Sequence, residues 1–468
     1  NIQLNGQTGE TTVNNTTPNW AYSQTSFEAS PLNRPQESFA PGVNWVGTAG
    51  QSTEAARHSV KMKYWINTAA DAVRIWNVTA AVSLGSFNPY STPGIYNAGE
   101  LYKTVTVDEH SKQVIEFKDK EGKVILKKVQ IGGTADDGTG VSHTSDWLCT
   151  YYIYDDLGQL NCVVQPEGVK ALNGNSWIFT SAILDEQCFR YKYDHRNRMI
   201  LKKVPGAGYV GMVYDARDRL VVTQDANMRA AAVPQFTYTQ YDNLNRPVAT
   251  GIYQWSGNTV NDYWAYAADK IDFPWNYWGS ITPQILTSTY YDDYSLPWGP
   301  FANANYLTTW NSHLLPASGT WPYPQANSKS NATKGLVTGT RTLILGTGTY
   351  IYDATIYDAK GRAIQVQSTN ISSNAAAMDV STMQYSWAGQ PLVAVHSNVL
   401  TMGGIVPDQN AVVVTQNSYD ELGRVTRLEK KQSHTNVNSG AMSSYNTIAE
   451  MEYVALGKLK KKKLAPAY

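Results

Sequence analysis

The 468-residue chain is poor in charge: 38 basic and 38 acidic residues make up 16% of it and cancel to a formal net charge of zero. Soluble domains usually carry about a quarter of their residues charged. No basic face builds up over most of the chain, so nucleic acid is not an expected partner. No apolar run is long enough to span a bilayer, so no membrane-spanning helix is expected either. Cysteine is scarce, with Cys149, Cys162 and Cys188 alone, and none sits in C-x-x-C spacing, which leaves zinc and redox motifs unsupported. Folding a hairpin about residues 155–158 sets Tyr151 opposite Cys162 and puts Cys149 diagonal to it. Diagonal pairs are usually too far apart for a disulfide, so free buried thiols are expected. Phenylalanine is also rare, 9 residues against 31 tyrosines and 14 tryptophans, a balance that suits half-exposed sheet faces.

The catalytic signatures are missing as well. The chain has no H-E-x-x-H, G-x-S-x-G, G-x-x-x-x-G-K-S/T or G-x-G-x-x-G. Its seven histidines (His58, His110, His143, His195, His313, His396 and His434) are scattered singly, with no pair at ligand spacing. The acidic doublets Asp155/Asp156 and Asp292/Asp293 would suit a glycosidase pair or a calcium site. Both open a turn, and turn capping already explains one member of each. No loop carries the regularly spaced acids that calcium needs. The expectation is a noncatalytic chain with no cofactor and no metal.

What is present is a turn that keeps returning. It reads YDDLGQ from Tyr154, YDHRNR from Tyr193, YDARDR from Tyr214, YDNLNR from Tyr241, YDDYSL from Tyr291, YDAKGR from Tyr357, YSWAGQ from Tyr385, YDELGR from Tyr419 and YVALGK from Tyr453. Alternating apolar and polar flanks read as two strands, as in VVVTQNSYD and ELGRVTRLEK. An Asp opening a type I turn accepts from backbone N–H groups two residues on, and a Gly closing it takes positive φ without a Cβ clash. The structural residues of the turn are therefore Tyr154, Asp155 and Gly158; Tyr193 and Asp194; Tyr214 and Asp215; Tyr241 and Asp242; Tyr357, Asp358 and Gly361; and Tyr419, Asp420 and Gly423. Asn197, Asp218 and Asn245 replace the Gly and are the residues next best suited to the left-handed region. The Tyr ring is expected to pack between neighbouring hairpins with its hydroxyl on water or backbone. The Arg or Gln after the Gly position is expected on the opposite side of the turn. Copies lie 21 to 66 residues apart by the positions of their tyrosines, too irregular for propeller blades and typical of repeats with variable connections.

Along the chain, residues 1–21 read as a polar extension and 22–468 as continuous β structure, with degenerate repeats over 22–150 and clearer ones over 151–468. FEASPLNRP from Phe27 and FKDKEGKV from Phe117 are degenerate copies. MKYWI and AVRIW read as one hairpin, and the segment from Leu101 as two more, turning at DEHSK and KDKEGK. No segment of helical period is convincing. The lysine run after Gly457 reads as a solvated edge strand. Two excursions interrupt the pattern, 253–289 and 297–330, and contain Trp255, Trp264, Trp275, Trp278, Trp298, Trp310 and Trp321. Anchoring of the loops is one role for these rings. A cell-surface adhesin or glycan-binding scaffold, with Trp255 and Trp275 in contact with sugar, is the alternative reading. The polar start and the abrupt end at LAPAY lead us to expect part of a longer protein.

The Y-D-x-x-G-R turn resembles the YD repeat of bacterial Rhs proteins, of the cocoon subunits of Tc insecticidal toxins and of the eukaryotic teneurins. FEASPLNRPQESFAPG, the segment from Glu100 to Gln130 and GLVTGTRT look similar to the N-terminal part of the Rhs-type proteins of the Bacteroidetes phylum. The resemblance implies an all-β fold, a long antiparallel strip spiralling into part of a hollow shell. It implies as partners the remainder of the same polypeptide and a C-terminal effector enclosed by it, with secretion machinery or cell-surface proteins as further partners, in a secreted or cell-surface setting. The family's DPxGL-type core, its self-cleavage aspartates and a C-terminal effector are absent from these residues.

Overall fold

The computed structural model describes residues 23–40, 53, 57–81, 83–255, 263, 264, 267, 270, 271, 283–297, 301, 302, 304–370, 378–400 and 409–466. The polar N-terminal extension, Tyr22, Trp275, Trp278 and Trp298 lie outside them. Among the described residues the fold is all-β, with 24 strands in antiparallel sheet and two more in a separate ribbon. The chain divides into two units, residues 1–236 with 255–273, and 237–254 with 274–468.

In the first unit nearly every strand pairs with its neighbours in sequence. The exception is Ser59–Ile66, which pairs with Tyr102–Val107 and not with Arg74–Val78. The expected MKYWI/AVRIW hairpin is therefore not formed. Arg74–Val78 joins Tyr90–Ile95 in the two-stranded ribbon instead. The cause is a short 3₁₀ turn, Ala69–Asp71, whose Asp71 is fully buried. Asp71 caps Thr68 N and takes the ammonium of Lys103 at 2.8 Å, and Lys103 also pairs with Asp136. This buried ionic cluster draws the connection out of the sheet. The two turns expected after Leu101 do form, joining Tyr102–Val107, Gln113–Lys118 and Val124–Gln130.

Helices appear where only β structure was expected. Pro166–Gly174 and Ser181–Glu186 lie between two strands of the sheet, and Ala226–Ala230 follows a third. Their signals are short: Pro166 in the first turn, the Thr180 hydroxyl accepting from Ile183 N, and Asp225 accepting from Met228 N. Val169, Leu172 and Ile183 press into a core that includes Phe117, Leu126, Tyr151 and Trp177. Nine- and six-residue helices are too short to show a period in sequence, and packing stabilises them.

Cys162 pairs with Ile153 and Val164 with Tyr151, because the register shifts between Leu160 and Cys162. Tyr151 thus lies two positions from its expected partner: the turn closes on Tyr154–Leu160 and not on Tyr154–Gln159, and the β-bulge adds the second. All three cysteines are free and buried.

In the second unit the strands from Pro247–Gln254 to Leu459–Leu464 pair in sequence order. Strand structure resumes at Gln284, inside the first excursion. The second excursion lies along a sheet face, held by buried glutamines that act as backbone surrogates. Gln365 accepts from Leu307 N at 2.8 Å and donates to Leu307 O at 2.9 Å. Gln384 does the same for Leu315 and adds a bond to Gln325 O. Phe301 and Ala304 fill one apolar cluster, while Trp310, Leu314 and Leu315 pack on another. A buried amide that satisfies both groups of one residue removes the cost of covering a sheet with irregular backbone.

Lys103→Met leaves Asp71 and Asp136 buried without their cation, and should cost about 3–5 kcal/mol in urea unfolding of the first unit. His143 gives a pH signature. Burial, with Lys128 and Arg74 nearby, holds its imidazole at about 3 rather than 6.5, and its Nε2 lies 2.8 Å from the Tyr151 hydroxyl. Between pH 6.5 and 3 the unfolded chain binds the proton and the folded chain does not, so stability falls on acidification. The slope from this residue is at most about 1.4 kcal/mol per pH unit. Urea midpoints at pH 7 and pH 4.5 should therefore differ less in His143→Gln than in the parent.

Candidate functional site

The recurring turn builds one local geometry. In the turn opened by Asp194, Oδ1 accepts from Arg196 N and Arg198 N, and Asn197 N bonds Asp194 O at 3.0 Å. Asp215, Asp242, Asp358 and Asp420 repeat both carboxylate bonds, as does Asp155 with Leu157 N and Gln159 N. The closing residue is left-handed in every case: φ is 75° at Gly158, 73° at Gly361 and 78° at Gly423, and 62–64° at Asn197, Asp218 and Asn245. This is a type I turn followed by a left-handed residue, the usual three-residue hairpin connection. Phe117 leads into the same turn through Asp119 and Gly122, and Phe27 into a longer version closed by Asn33.

The arginine that follows departs from expectation. It does not stand on the far side of the turn but folds back, and Nε of Arg198, Arg219, Arg246, Arg362 and Arg424 lies 2.6–2.8 Å from Oδ2 of its own Asp. The guanidinium then faces the tyrosine of the next repeat. Ring centroids lie 5.0 Å from Arg198 (Tyr214), 4.2 Å from Arg246 (Tyr291), 4.9 Å from Arg362 (Tyr385) and 4.7 Å from Arg424 (Tyr453). Arg34, paired with Glu28, covers Tyr64 at 4.3 Å in the same way. Arg198 and Arg362 also donate to the backbone carbonyl that opens the next turn, at Asp215 and Ser386.

The tyrosine hydroxyl completes the joint. It donates to the carbonyl of the residue directly after the Arg or Gln of the preceding turn: Tyr64 to Pro35, Tyr193 to Leu160, Tyr214 to Met199, Tyr291 to Pro247, Tyr385 to Ala363, Tyr419 to Pro391 and Tyr453 to Val425, all at 2.9–3.2 Å. Where the turn carries an arginine, one hairpin is thus tied to the next by a carboxylate, a guanidinium, a ring and a hydroxyl; Gln159 and Gln390 leave out the guanidinium, and Tyr357 donates to Val337 O instead. Burial alone raises Asp358, yet Arg362 and two backbone N–H groups hold it below the usual carboxylate range. Arg246 also grips Asp292 with both terminal nitrogens, and that ion pair, with a bond from Gly335 N, lowers Asp292 well below the ordinary range. Sequence reading singled out the arginines but set them on the wrong side of the turn. Their spacing, always directly after the positive-φ residue, was the available signal.

These tyrosines and acids do not converge on a reaction centre; they lie in series along the sheet. Among the described residues no group of three His, Cys, Asp or Glu side chains is placed to hold a metal ion, and no helix is long and apolar enough to cross a membrane. Of the described tryptophans in the excursions, Trp264 is buried with Nε1 on Met212 O, Trp310 packs on a core cluster, Trp255 is half-buried and Trp321 is exposed.

Residues 2–59 match a family model described as a domain of unknown function, DUF6443. No curated protein matches. Among solved structures, the chain is similar to TcdB2–TccC3 without its hypervariable C-terminal region, at 13% identity and a TM-score of 0.32, over 94% of this chain and 20% of that one. A second TcdB2–TccC3 structure matches at 15% identity and a TM-score of 0.26, over the same shares. A Tc holotoxin pore from Photorhabdus luminescens matches at 12% identity and a TM-score of 0.26, over 95% and 26%. The chain spans about a fifth of the length of the first two.

The joint is testable by a double-mutant cycle. Tyr385→Phe should cost about 1 kcal/mol through the lost bond to Ala363 O. Arg362→Met should cost about 1–3 kcal/mol, and the double variant should cost less than the sum by about 0.5–1 kcal/mol, measured by urea unfolding of the second unit.

Proposed function

We propose that this chain is a noncatalytic structural segment of an Rhs/YD-repeat shell of the Bacteroidetes type, which encloses or displays a C-terminal, toxin-like effector domain of a secreted bacterial protein. The single observation that carries the reading is the repeated joint. The residues that recur are consumed in tying one hairpin to the next, as expected of a wall and not of a reaction centre. A hairpin has no core of its own and must bury its faces on neighbours, and coiling the strip protects its edges. The backbone-reading glutamines add a second support, since they let irregular chain lie on a sheet face without unpaired polar groups. On this reading the partners are the remainder of the same polypeptide and the domain it encloses. The mechanism is excluded volume: the effector is kept from solvent and from the producer's own targets until release.

The test is protease protection of the effector joined to this segment and the rest of the polypeptide. The effector should resist a protease dose that degrades it when isolated, and should become sensitive when Arg362 and Arg424 are both changed to Met. Digestion of the effector while the repeats stay intact would overturn encapsulation.

A further inference from the structure

One joint in the first unit is left open. In the turn after Phe117 the place of the arginine is taken by Lys123, whose ammonium pairs with Glu121 and lies against Gly158. It stands 5.9 Å from the Tyr154 ring centroid, further than any of the five arginines from theirs. Asp119 Oδ1 caps its turn as elsewhere. Its Oδ2, the atom that receives a guanidinium Nε in five other turns, has no hydrogen-bond or ion-pair partner among the described residues. The Tyr154 hydroxyl, which by the pattern belongs on the carbonyl of Val124, has no hydrogen-bond partner among them either. The following turn also lacks the arginine, and Gln159 reaches instead to Asn197.

At this open joint lies a cleft of about 610 Å³, walled by Trp76, Tyr96 and Tyr154 together with Asp119, Glu121 and Asp155. Five carboxylates line it against two ammonium groups. Burial chiefly raises the Tyr96 hydroxyl above its ordinary range, and Asp119 and Glu100 add to the rise.

We propose that this cleft binds the guanidinium of an arginine borne by another polypeptide, seated between the Asp119 carboxylate and the Tyr154 ring, where other joints hold an arginine of their own. The chain itself supplies the precedent, in four joints built from an aspartate and a tyrosine ring and in a fifth, at Arg34, built from Glu28 and Tyr64. A guanidinium matches both partners at once, since its planar fork fits a carboxylate edge while its face lies on a ring. An ammonium has no face to stack, and a neutral sugar adds no charge for Asp119 beyond the Coulombic influence of Lys123. This site is independent of whether the chain forms a shell.

The probe is acetyl-Gly-Arg-Gly-amide, titrated into the full 468-residue protein and followed by saturation-transfer NMR, beside analogues carrying lysine or citrulline. Saturable binding of the arginine peptide in the millimolar range is expected, with the neutral citrulline analogue weaker by about tenfold or more. Asp119→Asn keeps the Oδ1 cap and removes the charge, and should weaken the arginine peptide by at least about tenfold. Lys123→Arg restores the missing group within the chain. It should abolish binding of the peptide and raise the melting temperature by about 2–4 °C. Absence of saturable binding up to about 20 mM, equal binding of the arginine and citrulline peptides, or undiminished binding by both Asp119→Asn and Lys123→Arg each overturns the proposal. Should Asp119→Asn fail to fold, Lys123→Arg alone decides.

Discussion

The pairing of a turn aspartate with the arginine four residues on is the interaction on which the rest of the structure depends. Taken singly it is a half-buried ion pair of modest value. Its importance is geometric. By drawing the guanidinium back over the turn, the aspartate places a flat cation where the next hairpin's tyrosine arrives, and that tyrosine hydroxyl reaches back to the carbonyl beside the arginine. Local turn chemistry thereby becomes a long-range tie. Connections of any length can follow, provided the next hairpin brings a tyrosine to the same place, and Arg246 reaches Tyr291 across one of the excursions as readily as Arg198 reaches Tyr214.

Between the ties, the units cover their sheets with irregular chain by two devices. The first uses charge: Lys103 and Lys128 are fully buried, Lys103 between two aspartates and Lys128 on the carbonyls of Asp71 and Val141. Burial brings Lys128 down to about 8, with the neighbouring acids working against that shift. The second uses neutral amides, Gln113 in the first unit and Gln365, Gln367 and Gln384 in the second, which bond backbone groups directly. Both devices answer the same constraint, that backbone leaving a ladder must find partners elsewhere.

Reading by residue type recognised the tyrosine, aspartate and glycine because each has a local reason to be in a turn: a half-polar ring, a short acceptor and a tolerance for positive φ. The arginine's regular place after the positive-φ residue marked it, but its role as a tie depends on the ring of the next hairpin and showed only once that hairpin lay beside it. The same holds for the glutamines. Nothing in MQYSW marks Gln384 as the residue that binds Leu315, 69 positions away. The misread hairpin at MKYWI/AVRIW has the same origin, because alternation shows that a strand is half-buried but not which strand it pairs with.

The sequence by itself determined the class of fold, the turns and their chemistry, since hydrophobic alternation and turn-residue preference act over a few residues and need no partner. Only tertiary structure decided the pairing of Ser59–Ile66, the short helices, the seating of the second excursion and the arginine-to-tyrosine ties. Each of these depends on a group that comes from a distant part of the chain, and its free energy exists only once that group has arrived.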